Sequence, residues 1–249
     1  MINLYDGETI DDLNLKGLKI IQKKGDFRFG TDAVLLANFA KVKSKEIGVE
    51  LGSGSGIIST IVLAKSACRH IYGIEIQDSV AERSVRSLKM NGLEDRFTVY
   101  CCNWKDAYNY IDKFSADFVI SNPPYVKNTG IKNIEKNKLI SRQETTGGVS
   151  ELFEVAGMLL KNGGNFFLVH RPSRLCDIFS VCRNFNLEPK EMRFVHPSYG
   201  KAPNMVLIRF VKFGGTDLKI LNPLYIYSQN GKYTDEIEKI YSSTVLAEE

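Results

Sequence analysis

Between residues 47 and 170 the chain alternates short apolar runs with longer segments of helical period. Ile47–Leu51, His70–Ile76, Phe97–Cys101, Asp117–Ser121 and Asn165–His170 read as strands. Gly56–Ser66, Asp78–Asn91 with its cap at Asp78 or Ser79, and Ser150–Lys161 read as the helices between them. A helical crossover returns the chain to the same end of a sheet, so this order predicts mainly parallel strands with helices on both faces. Pro172–Asn184 reads as a helix opened by its proline, and Met192–His196 with Asn204–Phe213 as a closing pair of strands. The fold class is α/β. In such sheets ligands bind outside the carboxyl ends of the strands.

The flanks are less regular. Residues 1–17 are polar and irregular, and Leu18–Phe29 reads as a hairpin turning at Gly25-Asp26. Thr31 is placed to cap a helix through Ala33–Ala37. After Gly214-Gly215 a strand at Leu224–Tyr227 and a helix at Thr234–Tyr241 are expected. The 249 residues therefore divide into an N-terminal hairpin and helix (1–46), a core (47–213) and a C-terminal extension (214–249) on the same domain. Pro123–Gly148 is a long polar loop, and such loops within compact domains usually serve function.

Three features bound the setting. No apolar run reaches the ~20 residues of a membrane span, and the first residues lack the regions of a signal peptide. A cytoplasmic protein is expected. Cys68, Cys101, Cys102, Cys176 and Cys182 form no Cys-x-x-Cys pair and have no histidine at zinc-ligand spacing, so buried reduced thiols are expected, with no disulfide and no metal. The net charge of +4 permits an anionic partner without requiring one.

The chemistry lies at strand ends. Glu50-Leu51-Gly52-Ser53-Gly54-Ser55-Gly56 closes one strand and opens the next helix, where glycines let the backbone turn sharply and approach a ligand. The spacing is Gly-x-Gly-x-Gly, and Ile57 stands where a dinucleotide fingerprint has its last glycine, which weakens a nicotinamide dehydrogenase reading. Glu75, followed by Ile76, ends the next strand, where a carboxylate can accept from both hydroxyls of a ribose. Asn103 and Trp104 follow the third strand, within reach of an adenine amino group and ring.

Asn122-Pro123-Pro124-Tyr125 follows the fourth strand. The two prolines stiffen the backbone and remove its N–H groups. The Asn122 side-chain carbonyl and the Pro123 main-chain carbonyl are then two acceptors suited to the two N–H bonds of a planar amine. Such bonds turn a conjugated nitrogen toward tetrahedral geometry and favour the positive charge that grows as it attacks a methyl sulfonium. Tyr125 offers a face for a ring. No metal and no covalent intermediate are needed.

With these motifs the chain resembles the class I S-adenosylmethionine-dependent methyltransferases. Glu50–Gly56 is similar to their first motif, Glu75 to their ribose acid and Asn122–Tyr125 to the motif of amino-group methylators; many relatives carry Asp where this chain has Asn103. The resemblance implies a Rossmann-like sheet of seven strands, mainly parallel with one antiparallel hairpin strand. It also implies S-adenosyl-L-methionine as cofactor and S-adenosyl-L-homocysteine as product. A narrower resemblance, carried by Phe27–Leu36 and by Tyr233–Ile237, is to the bacterial family that methylates N6 of adenine 37 in a valine tRNA. It implies that residues 1–46 cover the cofactor and that Thr31 and Asp32 reach its amino-acid end.

A tRNA substrate follows as the expected partner, with no obligate protein partner and no membrane. Lys127, Lys132, Lys136, Lys138, Arg142 and Lys201 are the candidate phosphate contacts, with Arg171, Arg174 and Arg209 behind them. The alternatives are a glutamine N5-methyltransferase acting on a protein, an rRNA guanine N2-methyltransferase, a DNA adenine methyltransferase and a non-catalytic RNA-binding module. Only 49 residues precede Glu50, little for the helical domain of the first, and nothing resembles a DNA target-recognition domain. The intact Asn122–Tyr125 motif argues against the last.

Overall fold

The structure is a computed structural model and describes residues 3–15, 17–25, 30–124 and 148–242. A small hairpin, β1 (Glu8–Asp12) and β2 (Lys19–Lys23), leads into α1 (Thr31–Phe39). There follow β3 (Ile47–Leu51), α2 (Ile57–Lys65), β4 (His70–Glu75), α3 (Asp78–Met90), β5 (Phe97–Cys101) and β6 (Ala116–Ser121). Next come α4 (Gly148–Leu159), β7 (Leu160–His170), α5 (Leu175–Cys182), β8 (Leu187–Ser198) and β9 (Met205–Lys212). The chain closes with β10 (Lys219–Ile220), β11 (Leu224–Tyr227) and α6 (Asp235–Ser242).

The main sheet has the order β10-β8-β9-β7-β6-β3-β4-β5, with β11 also beside β8. All its pairings are parallel except those of β9, which is antiparallel to β7 and β8. Seven strands were expected and nine are found. The two extra strands, β10 and β11, run in succession along the outer edge of β8, at Glu191–Met192 and Val195–Ser198.

Two hydrophobic layers sandwich the sheet. One holds α1, α2 and α3 against residues such as Ile71, Phe118 and Ile120, and takes in Leu224, Ile226 and Ile237 of the C-terminal extension. The other holds α4 and α5 against Val49, Leu51, Val119 and Phe166. Alternation along β3 and β6 assigns neighbouring residues to opposite layers, as a pleated strand requires. Gly48 makes room for Phe118, whose ring would overlap any Cβ there.

Several local expectations are corrected. The hairpin is Glu8–Asp12 with Lys19–Lys23, not Leu18–Phe29. Its first strand was missed because ETIDD is acidic and only half-buried; Glu8 is instead satisfied by Arg83 and by a bidentate bond from Arg86. Gly30, not Thr31, is the N-cap of α1, and no side chain caps that end. Gln77 occupies the same position for α3, leaving Asp78 in its first turn. The segment after Pro172 is a short 3-10 turn followed by α5. All five cysteines are free, but only Cys68 and Cys182 are buried; Cys101, ending the edge strand β5, and Cys176 are exposed. Among the described residues no helix is long and apolar enough to cross a membrane.

Candidate active site

The chain runs β3, β4, β5 toward one edge of the sheet, then returns to place β6 on the other side of β3. The strand order therefore reverses between β3 and β6, which is where a sheet of this kind opens a crevice at its carboxyl end. Leu51 and Ser121 are register partners across that point, and Ser121 Oγ donates to the Leu51 carbonyl at 2.8 Å. The glycine loop and Asn122 thus leave the sheet side by side.

The loop is built from both ends. Gly52, Gly54 and Gly56 all have positive φ, at 72°, 52° and 78°. The N–H groups of Gly52 and Ser53 both donate to the Ile74 carbonyl, and that of Gly56 to Ser53. The three glycines serve different ends. A Cβ at Gly56 would meet Leu88 at 2.8 Å and Ser84 at 3.1 Å, so this glycine lets α3 close on the loop. A Cβ at Gly54 would meet nothing within 4 Å, so that backbone faces open space.

Two carboxylates flank the loop. Glu50 is buried beneath it, and its Oε2 accepts from the Ser59 N–H at 3.0 Å and from the Ser59 hydroxyl, in the first turn of α2. Burial raises its pKa to about 8, with the nearby Glu75 adding to the effect. Glu75 Oε2 accepts from the Gly54 N–H and Oε1 from the Gln77 N–H, each at 2.9 Å. Burial pushes its carboxyl upward too, against those backbone bonds. Ile76 follows as an exposed residue.

Asn103 and Trp104 follow β5, two strands from β3. Asn103 Oδ1 accepts from the Lys105 N–H at 3.0 Å and caps a short 3-10 turn, so its acceptor is engaged locally. The Trp104 ring packs toward Gly52. Its Nε1 and the Ser53 hydroxyl are buried polar atoms without a hydrogen-bond partner among the described residues. Buried donors are rarely left so, and a ligand with acceptors and hydroxyls would satisfy both. The positive-φ loop, the open face at Gly54 and these two orphans fit a nucleoside with a polar tail.

Trp104, Pro123, Pro124, Gly148, Val149, Leu152 and His170 line one pocket at this edge. His170 was missed in the sequence. It ends β7, the strand beside β6, so its place next to Pro123 was implied by strand order alone. It is 2% exposed, and its Nδ1 accepts from the Arg171 N–H at 2.8 Å, which leaves the proton on Nε2. Burial, with Arg174 and Arg171 nearby, lowers its pKa to about 4, so the ring is neutral at physiological pH.

The remaining candidates are scattered. Thr31 and Asp32 open α1, where Asp32 is buried and bonds the next N–H, that of Ala33. Lys201 is exposed on the turn between β8 and β9. Arg209 lies within β9, tied to Glu191 and Asn165, and belongs to the sheet rather than the mouth. Arg174 pairs with Asp177. Tyr125, Lys127, Lys132, Lys136, Lys138 and Arg142, like Phe27–Phe29, lie outside the described residues.

The model of the family described as Methyltransferase small domain matches residues 23–183, which include the glycine loop, Glu75 and Asn122–Tyr125. The chain belongs to that family. It is a class I S-adenosylmethionine-dependent methyltransferase, and the nicotinamide reading falls away. Among curated proteins, this methyltransferase is 25% identical over 226 residues to the tRNA1(Val) (adenine(37)-N6)-methyltransferase of Bacteroides fragilis, covering 90% of this chain and 93% of that one. It is 24% identical to the protein of the same name from Pedobacter heparinus, over 93% and 97% of the two chains. Among solved structures it superposes on a predicted O-methyltransferase from Agrobacterium tumefaciens with TM-score 0.71 at 20% identity, over 86% and 97% of the chains. Geranyl diphosphate C-methyltransferase from Streptomyces coelicolor, solved with S-adenosyl-L-homocysteine, gives TM-score 0.55 at 14% identity, over 73% and 75%. These likenesses establish the fold of the core.

Proposed function

We propose that this methyltransferase transfers a methyl group from S-adenosyl-L-methionine to the exocyclic N6 amino group of adenine in tRNA, at position 37 of a valine tRNA. One observation carries the reading: Asn122-Pro123 leaves the sheet at the reversal point beside the glycine loop. The names of relatives that align over nearly the whole chain supply the nucleobase and the tRNA.

Gly52–Gly56 would receive the cofactor along its open backbone, Glu75 would accept from its ribose hydroxyls, and Trp104 would pack against its adenine. Glu50 supports the loop from below through Ser59. Thr31 and Asp32 are assigned to the amino-acid end on the family likeness. Bound there, the cofactor supplies an electrophilic methyl sulfonium. The protein supplies acceptors for the target amine at Asn122 and Pro123 and a face at Tyr125. His170, neutral beside the prolines, places no competing positive charge at that wall. The rate then comes from positioning and from acceptors that strengthen as the nitrogen becomes cationic. A base in an anticodon loop is partly unstacked already, so bringing it to Asn122 costs less than flipping one from a duplex.

The test is mass spectrometry of nucleosides from cells lacking the protein, joined to methyl transfer with purified enzyme on bulk tRNA. Loss of N6-methyladenosine from tRNA and its restoration in vitro are expected. Loss of methylated glutamine or of N2-methylguanosine in its place would refute the adenine assignment.

A further inference from the structure

The C-terminal extension gathers tyrosines at the same edge of the sheet as Asn122. β7 and β8 are both antiparallel to β9, and β11 is parallel to β8, so β6, β7, β8 and β11 all end at that edge. Tyr225 and Tyr227 alternate with buried Leu224 and Ile226 and share the outward face of β11. Tyr225 packs on His196 and on Tyr199, with ring centroids 5.1 and 5.8 Å apart. Tyr227, Tyr233 and Tyr241 form a ladder of near-parallel rings, 5.4 and 5.7 Å apart. The far end of the ladder bonds the side chain of Thr31 at the start of α1.

Much of this aromatic surface is in solvent: Tyr199 is 71% exposed, Tyr227 42% and Tyr233 40%. Lys201 and Lys232, both exposed, flank it and form no ion pair among the described residues. Glu236 of α6 is neutralised by Arg193. A core does not need a ladder of tyrosines facing water, and exposed apolar patches of this kind mark interaction sites.

We propose that this tyrosine array docks unpaired bases of the RNA substrate that neighbour the target base. The inference rests on the RNA reading of the function. Planar phenol faces accept any base, and two unpaired ammonium groups beside them suit phosphates. Four strand spacings of ~4.8 Å separate β6 from β11, so the platform lies about 19 Å from Asn122. It therefore takes flanking nucleotides rather than the methylated one.

The experiment compares Tyr199→Ala/Tyr227→Ala with Tyr199→Phe/Tyr227→Phe, using fluorescently labelled bulk tRNA in anisotropy titrations. The Ala pair should weaken tRNA binding roughly 10-fold or more, whereas the Phe pair keeps the rings and should stay within about 2-fold of the parent. S-adenosylmethionine affinity by calorimetry, melting temperature and the single-turnover rate at saturating tRNA should match the parent, while kcat/KM falls. An Ala pair that binds tRNA like the parent overturns the platform and leaves the proposed function standing. A change in sedimentation without a change in tRNA affinity overturns it in favour of a contact between copies. If the parent binds tRNA but transfers no methyl group, the proposed activity fails and the platform is judged on the binding constants alone. A parent that binds no tRNA overturns both.

Discussion

The N–H of Gly54 donates to Oε2 of Glu75 across 2.9 Å. The strand-end acid therefore orders the turn of the glycine loop while keeping lone pairs for a ligand. Glu75→Ala should remove a proposed ribose acceptor and unpin the loop together. A charge-assisted bond of this kind contributes about 1.5–3 kcal/mol, so affinity for S-adenosylmethionine should fall at least 10-fold. Calorimetry giving the parent affinity would exclude Glu75 from the site.

Gly54 and Gly56 should respond differently to the same substitution. Leucine at either must hold a positive φ, which costs of order 1 kcal/mol or more. At Gly54 the side chain enters open space, so Gly54→Leu should fold with a small loss in Tm and fail to bind cofactor. At Gly56 it runs into Leu88 and Ser84, so Gly56→Leu should lower Tm sharply, in line with the ~1–3 kcal/mol of an overpacked site. Melting curves together with calorimetry separate the outcomes, and a cofactor-competent Gly54→Leu would move the ligand elsewhere.

Glu50 makes stability depend on alkaline pH. Its carboxyl has a folded pKa of about 8 against an ordinary value of 4.5. The folded state thus holds a proton that the unfolded state releases, and stability present below pH 4.5 is lost as pH rises through 8. Glu50→Gln keeps an acceptor for Ser59 and removes the buried charge. It should melt higher than the parent at pH 9, by roughly 2–4 °C for each kcal/mol recovered, with the difference closing toward pH 5. A constant difference across that range would mean that Glu50 is ionised in the fold at neutral pH.

The parts of the molecule legible in the sequence are those where one local pattern decides the structure. Ile47–Leu51 and Phe97–Cys101 were bounded correctly because apolar strands end at glycine or polar loops. The crevice was legible because βαβ order dictates parallel strands and a reversal. Features set by distant partners were not. β1 is held by Lys19–Lys23 and by Arg83 and Arg86, and its acidic sequence gives no sign of that. Asn103 looked like a ligand donor, yet its oxygen caps the turn at Lys105. His170 carried no motif, and only sheet order brings it to Pro123.

The basic segment after Tyr125 bears on substrate class. Replacing Lys132, Lys136, Lys138 and Arg142 together by Ala should raise the KM for tRNA and leave cofactor affinity unchanged. Each phosphate contact removed should flatten the log–log dependence of binding on salt by about 0.7–0.9. A salt series on the quadruple variant that overlays the parent would place the phosphate contacts elsewhere.

Asn122 tests the chemistry itself. It follows β6 at the reversal point, half-buried, ahead of the two prolines. Asn122→Ala should remove one of two acceptors for the target amine and leave the glycine loop, anchored on Ile74 and Glu75, in place. The loss should fall on kcat, because the bond strengthens as the nitrogen becomes tetrahedral and cationic. By analogy with deleting one preorganised donor from an oxyanion hole, the drop should be on the order of 10²–10³. Tyr125→Phe should be milder than Tyr125→Ala, since a stacking face contributes ~1–3 kcal/mol per base and the hydroxyl is not needed for it. Asn122→Asp is the sharper comparison. The carboxylate still accepts, and its charge attracts the developing cation but also stabilises the sulfonium before transfer, so it should retain more activity than Asn122→Ala and less than the parent. Single-turnover rates at saturating tRNA, with S-adenosylmethionine affinity measured for each variant, decide between these outcomes. A near-normal rate for Asn122→Ala would show that the amine is activated by other groups.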